Sequence, residues 1–206
     1  FVETIRHLLG ADNTARNQAE QRYDAAKRSE PVQLVASLVQ VLTQTDLELP
    51  VREQCAVLLR QCCGKVKEPE STWQKLGTHQ AKLREQLLQI LEAEPNPQLR
   101  RKVSDCVQSL ANQIVEIEEG QTPTNLKEWP ELMPCLFRII CDGSKDSTLR
   151  ADCLWIVKEL TCSVWQMLLV NSSQTFQVLQ TCLADPAQTV KAEAAALLCS
   201  FVDDIH

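Results

Sequence analysis

The sequence is poor in aromatic rings, glycine and histidine. One Tyr, four Phe and four Trp make up 4% of its 206 residues. So few large rings disfavour a bulky sandwich core and suit thin helical layers filled by Leu, Val, Ala and Cys. The five Gly and nine Pro are also few, and the prolines stand mostly between helical patterns. His7, His79 and His206 are scattered, with no Cys or carboxylate at ligand spacing, which argues against a zinc site or any other metal centre. No glycine-rich phosphate cradle, P-loop or nucleophile elbow occurs. With no nucleophile, ligand cluster or phosphate site, the chain is expected to be a binding protein, not an enzyme, and to need no cofactor. No apolar run approaches the ~20 residues that cross a bilayer, so no membrane partner is expected. The net charge of −6, without clustered Lys or Arg, speaks against direct nucleic-acid binding. The first residue is Phe1, not Met, which suggests a portion of a longer chain.

Cysteine is the one abundance. Ten are present, none in a C-x-x-C pair, and several occupy apolar helical positions. They read as reduced, buried thiols, because free Cys packs as a small hydrophobe. Adjacent Cys62 and Cys63 are the pair most open to oxidation.

The organising pattern is clearest from Asn96 to Ile117. After Asn96-Pro97, the residues Leu99, Val103, Cys106, Val107 and Leu110 recur at i, i+4, i+7, i+8 and i+11, one apolar stripe on a helix. Val51, Cys55, Leu58, Leu59 and Cys62 repeat it after Pro50. Leu149, Cys153, Ile156, Val157 and Leu160 repeat it after Asp146. Val190, Ala194, Leu197, Leu198 and Phe201 repeat it after Asp185-Pro186. Ala15, Ala19, Tyr23 and Ala26 follow it with Arg22 as a misfit. The residue after the first apolar position is always basic: Arg16, Arg52, Arg100, Arg150 and Lys191, spaced by 36, 48, 50 and 41 residues. These are expected to be structural, pairing with turn Asp or carbonyl groups between repeats.

Each template helix is preceded by a second helical pattern. Gly10 is expected to close the first helix and Asn13 to cap the second. Thr72 to Glu94 is the weakest helix, with Gly77 able to interrupt it. Trp129-Pro130 is expected to start a helix, and the fourth template helix to run unbroken to about Leu169. The segments Lys65 to Ser71 and Glu118 to Lys127 read as exposed connections. Variable spacing near 40 residues fits HEAT repeats better than the fixed periods of other arrays. The predicted fold is therefore all-α: a right-handed α-solenoid superhelix of about five HEAT repeats, ten antiparallel helices stacked on one continuous core. The repeats are placed at about 1–28, 31–64, 72–117, 128–169 and 171–205. Leu197, Leu198 and Phe201 give a greasy last helix, expected to expose apolar surface and favour self-association. Trp155 and Trp165 are weighed as interface anchors and assigned more readily to packing between repeats.

Four segments resemble importin-beta (karyopherin-beta) nuclear transport receptors in their N-terminal region. AEQRYD (Ala19 to Asp24) is similar to a first-repeat motif, REQCAVLLRQ (Arg52 to Gln61) to the second, and LRRKVSDCVQSLA (Leu99 to Ala111) to the third. WPELMPCL (Trp129 to Leu136) is similar to the entry into the fourth. Order and spacing match along the chain, and the nearest branch is importin five (importin beta three). Cysteines replace aliphatic core residues at several sites, and Glu118 to Lys127 diverges. The resemblance implies an import receptor whose early repeats hold GTP-bound Ran, so that Ran binding releases cargo. It also implies shuttling between cytoplasm and nucleus, with cargo proteins and nucleoporins held by later repeats. Carried onto the exposed sides of the template helices, the candidate Ran-binding residues are Asn17, Gln21, Asp24, Arg60, Arg101, Asp105, Gln108 and Asn112. Their mixed polar character suits recognition by hydrogen bonds and charge pairs. The alternative is a HEAT scaffold subunit of a multiprotein assembly, such as a phosphatase, with no Ran binding. The repeat pattern alone does not separate the two.

Overall fold

The structure, a computed structural model, describes residues 1–64, 70–114 and 126–203, the side chains of 165, 166, 202 and 203 excepted. Two compact units divide it, Phe1–Gln113 and Ile114–His206. Within the described residues every regular element is helical.

The first unit holds α1 (Val2–Leu9), α2 (Asn13–Ser29), α3 (Pro31–Thr43), α4 (Leu49–Cys63), α5 (Thr72–Leu76), α6 (His79–Ala93) and α7 (Pro97–Ile114). Helix α1 packs on α2 and α4, and α3 on α4, α5 and α6. The template stripe is the core: Val51, Cys55, Leu58, Leu59 and Cys62 of α4 are buried, as are Leu99, Val103, Cys106, Val107 and Leu110 of α7. On α2, Ala19 and Tyr23 are buried while Arg22 faces solvent, which explains why that copy tolerates a charge there. Caps differ in detail from the sequence reading. The carboxylate of Asp12, not Asn13, accepts from the backbone N–H groups of Thr14 and Ala15 at 2.8 and 3.2 Å, and Asn13 is the first helical residue. Gly10 closes α1 in an extended conformation, its N–H donating to His7 O. Gly77 does interrupt the third pair: its φ of +50° is glycine's region, and the chain restarts there as α6.

The second unit holds α8 (Leu132–Cys141), α9 (Ser147–Glu159), α10 (Thr161–Val170), α11 (Ser172–Leu183) and α12 (Gln188–Asp203). Helix α9 is central, packed against α8, α10 and α12. Two expectations fail here. Trp129-Pro130 precedes α8 instead of opening it, with Trp129 wholly buried and its carbonyl accepting from Leu132 N–H at 3.2 Å. The fourth template helix does not run to Leu169: it breaks at Leu160, where the buried Thr161 hydroxyl donates to the carbonyls of Val157 and Lys158. The greasy last helix is also corrected. Leu197 and Phe201 are buried and Leu198 half-buried; among the described residues of this unit, the exposed large apolar residues are Val170, Phe176 and Leu183, on α10 and α11. The two long connections fall mostly on residues 65–69 and 115–125, outside the described residues, and so does the Trp165 side chain.

The basic markers account for much of the stacking. Arg52 is buried in α4, its guanidinium paired with the Glu94 carboxylate and its Nε donating to Leu42 O at 3.0 Å. Glu94 also accepts from Asn96 N–H at 2.9 Å, and its carbonyl accepts from Arg100 Nη1 at 3.1 Å. In the second unit Arg150 Nη1 donates to Asp185 Oδ2 at 2.7 Å while Asp185 Oδ1 accepts from Ala187 N–H at 2.9 Å. Each carboxylate thus binds the preceding template helix through one oxygen and shapes the next helix entry through the other. Arg16 differs, pairing locally with Asn13.

Removing one member of such a pair strands a buried charge. Arg52→Met should lower unfolding stability by about 3 kcal/mol, and the double change Arg52→Met/Glu94→Leu should restore most of that loss, measured by urea unfolding. Acid stability should follow Asp185. The Arg150 hydrogen bond, then the Ala187 N–H, hold its carboxyl below the ordinary range. A depressed folded pKa means the stabilisation is complete above about pH 4 and disappears as pH falls through the lower folded value. Asp185→Asn should therefore flatten the pH dependence of stability below about pH 4 and leave that above pH 5 unchanged, read from thermal melts.

Candidate functional site

All eight candidate residues lie in the first unit, on α2, α4 and α7, and none enters the buried stripe. Asn17, Gln21 and Asp24 are exposed on α2, and Arg60 is exposed near the end of α4. On α7, Arg101, Asp105 and Gln108 are half-buried and Asn112 is exposed. Counted from the first apolar residue of each template, the three helices present one register. Asn17 matches Arg101, Gln21 matches Asp105, and Asp24 matches Arg60 and Gln108. The same register marks two positions that the sequence reading passed over, Glu53 and Val57 of α4, both half-buried. Their spacing of i, i+4 and i+7 with Arg60 carried the signal, which was obscured because Val57 is apolar.

Among the described residues, the structure brings Arg60 and Asp105 together. Arg60 Nη1 lies 3.7 Å from Asp105 Oδ2, joining α4 to α7 with both side chains partly exposed. An exposed pair of this kind contributes little stability, at most about 1 kcal/mol. It fixes charge more than it fixes structure. Arg101 and Asn112 are engaged in further interactions. Beneath the candidates, α2 is tied to α4 through the core.

That support is made by polar and thiol groups. The Tyr23 hydroxyl of α2 lies 3.2 Å from Cys62 Sγ and 3.5 Å from Leu58 O on α4. Burial raises its phenol far above the ordinary range. Cys106 Sγ of α7 donates to Ala56 O of α4 at 3.1 Å. Burial pushes the Cys55 and Cys106 thiols up to about 12, and raises Cys62 and Cys63. Such thiols are protonated packing groups and not nucleophiles. Among the described residues no His, Cys, Asp or Glu cluster could hold a metal ion, and no helix is long and apolar enough to cross a membrane. The register of α2, α4 and α7 carries acid, base and amide groups outside the stripe.

In the second unit, the equivalent positions are Ala151, Trp155 and Lys158 on α9, and Ala192, Ala196 and Cys199 on α12. Ala151 is buried there, and these positions carry far fewer polar groups. Trp155 is half-buried and already engaged, which fits packing better than a free anchor.

The family described as "IPO5-like, TPR repeats" matches residues 95–206, more than half of the chain. A curated relative, the "Probable importin-5 homolog" of Dictyostelium discoideum, is 24% identical over 213 residues, covering 98% of this chain and 18% of its own length. Among solved structures, yeast importin-beta (Kap95p) superposes with a TM-score of 0.75 at 15% identity, covering 100% of this chain and 24% of that one. Kap121p bound to RanGTP superposes with a TM-score of 0.67 at 20% identity, covering 98% and 17%. The chain thus spans about a fifth of the length of the curated relative it matches. The structural likenesses establish an importin-beta type of helical-repeat fold, assembled from stacked helix hairpins.

The protonated thiols under α2, α4 and α7 give a direct chemical check. At pH 8, Cys162 and Cys199, which are exposed, should alkylate readily with iodoacetamide. Cys55, Cys63 and Cys106 should react at least about 100-fold more slowly until denaturant is added, as peptide mass spectrometry would follow.

Proposed function

The chain belongs to the IPO5-like, TPR-repeat family, and from that membership we propose that it is part of a nuclear transport receptor whose early repeats hold GTP-bound Ran. The contact surface of this reading is the outward register of α2, α4 and α7: Asn17, Gln21 and Asp24, then Arg60, then Arg101, Asp105, Gln108 and Asn112. The observation that carries it is the common register. Ala19 and Tyr23 of α2 are buried at stripe positions that α4 and α7 also bury. At two positions of the register all three helices carry polar groups outside the stripe, Asn17, Glu53 and Arg101 at one and Asp24, Arg60 and Gln108 at the other, so one folded partner can meet all three. Acid, base and amide groups are mixed along that surface, which favours a partner recognised by charge pairs and hydrogen bonds over one held by grease. The likeness to a karyopherin solved with RanGTP supports the choice of partner.

In this reading the fragment is a carrier component and not a catalyst. Binding of Ran in the nucleus would shift the longer receptor away from its cargo-bound state, and a ligand does this only by the difference in its affinity for the two states. Cargo and nucleoporins belong to later repeats of the longer receptor, which shuttles between cytoplasm and nucleus.

The test is calorimetry with Ran loaded with a non-hydrolysable GTP analogue or with GDP. The GTP form should bind at least tenfold more tightly, about 1.4 kcal/mol. The triple change Asn17→Ala/Arg101→Ala/Asn112→Ala should weaken binding by roughly tenfold or more while thermal stability stays close to the parent's. Equal affinity for the two nucleotide forms would refute the proposal.

A further inference from the structure

Three cations from two elements converge on a concavity that the register of α2, α4 and α7 leaves unused. Lys27 and Arg28 lie in the last turn of α2, Gln61 near the end of α4, and Lys75 in α5, around a cavity of about 300 Å³. The buried Thr72 lines the same space. Among the described residues neither Lys27 nor Arg28 has a carboxylate within ion-pair distance. Lys75 is held by Glu70 at 3.1 Å, and that carboxylate is 88% exposed. An exposed pair of this sort is weak and readily exchanged. The chain as a whole carries a net charge of −6, so a hollow lined by three cations and one exposed carboxylate, Glu70, runs against its average. Basic residues in the last turn of α2 also complement the helix dipole. That local role does not account for Lys75, which reaches the same hollow from another helix.

We propose that this hollow binds an acidic peptide segment of a partner protein, with one carboxylate taken by Lys27 and Arg28 and a second displacing Glu70 from Lys75. A peptide fits better than a compact anion for two reasons. The cations stand on two elements with an amide and a hydroxyl between them, and the volume is at the lower end of the range for sites that hold a multi-group ligand. A single phosphate would meet only part of this set. The site uses none of the eight residues assigned to the GTPase, so it stands or falls independently of that assignment.

The experiment is fluorescence anisotropy of the intact chain with a labelled six-residue Asp/Glu peptide, with the matching Asn/Gln peptide as control. Binding should be confined to the acidic peptide and should weaken steeply as salt is raised. Lys27→Gln/Arg28→Gln/Lys75→Gln should weaken it at least tenfold. Glu70→Gln should tighten it about two- to threefold by removing the internal competitor. Lys82→Gln, an exposed cation elsewhere in the same unit, should leave it unchanged. All three variants change surface or half-buried residues, and their melts report whether folding is preserved. Undiminished binding by the triple variant would overturn the proposal. So would full displacement of the peptide by an equimolar amount of inorganic phosphate, which would mark a compact-anion site.

Discussion

A guanidinium sealed between one helical hairpin and the turn of the next is the constraint on which the stacking depends. Arg52 with Glu94 in the first unit and Arg150 with Asp185 in the second share one geometry. One carboxylate oxygen takes the arginine, and the other takes the backbone N–H two residues ahead, of Asn96 or of Ala187. The apolar stripe alone would allow neighbouring helices to slide, since hydrophobic burial is non-directional. A charged hydrogen bond with fixed donors is directional, and it permits one register only. Area keeps the hairpins together, while the pair determines where along their length they meet.

The outward surface inherits its order from that register. Because Arg52 and Arg100 both converge on Glu94, the α4 and α7 helices present equivalent residues side by side, and Arg60 can approach Asp105. Beneath them the contacts are unusually sulfur-rich. Cys62 meets the Tyr23 hydroxyl, and Cys106 donates to the Ala56 carbonyl, so thiols serve both as fillers and as weak hydrogen-bonding groups. The division is sharp on α4 and α7: cohesion lies on the inner side of each helix, and the polar groups lie outside the buried stripe.

The stripe was legible because burial at helical spacing is a periodic signal, and Leu99, Val103, Cys106, Val107 and Leu110 are all buried as the period requires. The role of the basic markers was legible for a related reason, since a charge recurring beside a buried position needs a partner. Their individual partners were not. Nothing in a single sequence says that Arg52 meets a residue 42 positions away, because that separation depends on the lengths of the intervening helices. The break at Leu160 was hidden as well. Val157, Leu160, Thr161 and Val164 are all buried across it, and no Gly or Pro marks it, so the pattern reads as one continuous helix. Asp12 and Asn13 compete for one cap with equal chemical fitness, and the structure gives it to the first. The polar positions were legible as lying outside the buried stripe, though on α7 Arg101, Asp105 and Gln108 are half-buried, and the apolar Val57 concealed that α4 contributes the same register as its neighbours.

Gly77 has a wider bearing on how such a chain can vary. With φ at +50° and no atom near the place where a side chain would begin, it lets the first helix of the third hairpin stop and restart in a new direction. A surplus residue can be discharged at such a joint, outside the packed layer, instead of displacing every contact downstream. Hairpin length and stacking geometry thereby become separate quantities. The intervals between basic markers, which range from 36 to 50 residues, are then no defect of the repeat but a freedom that its joints provide.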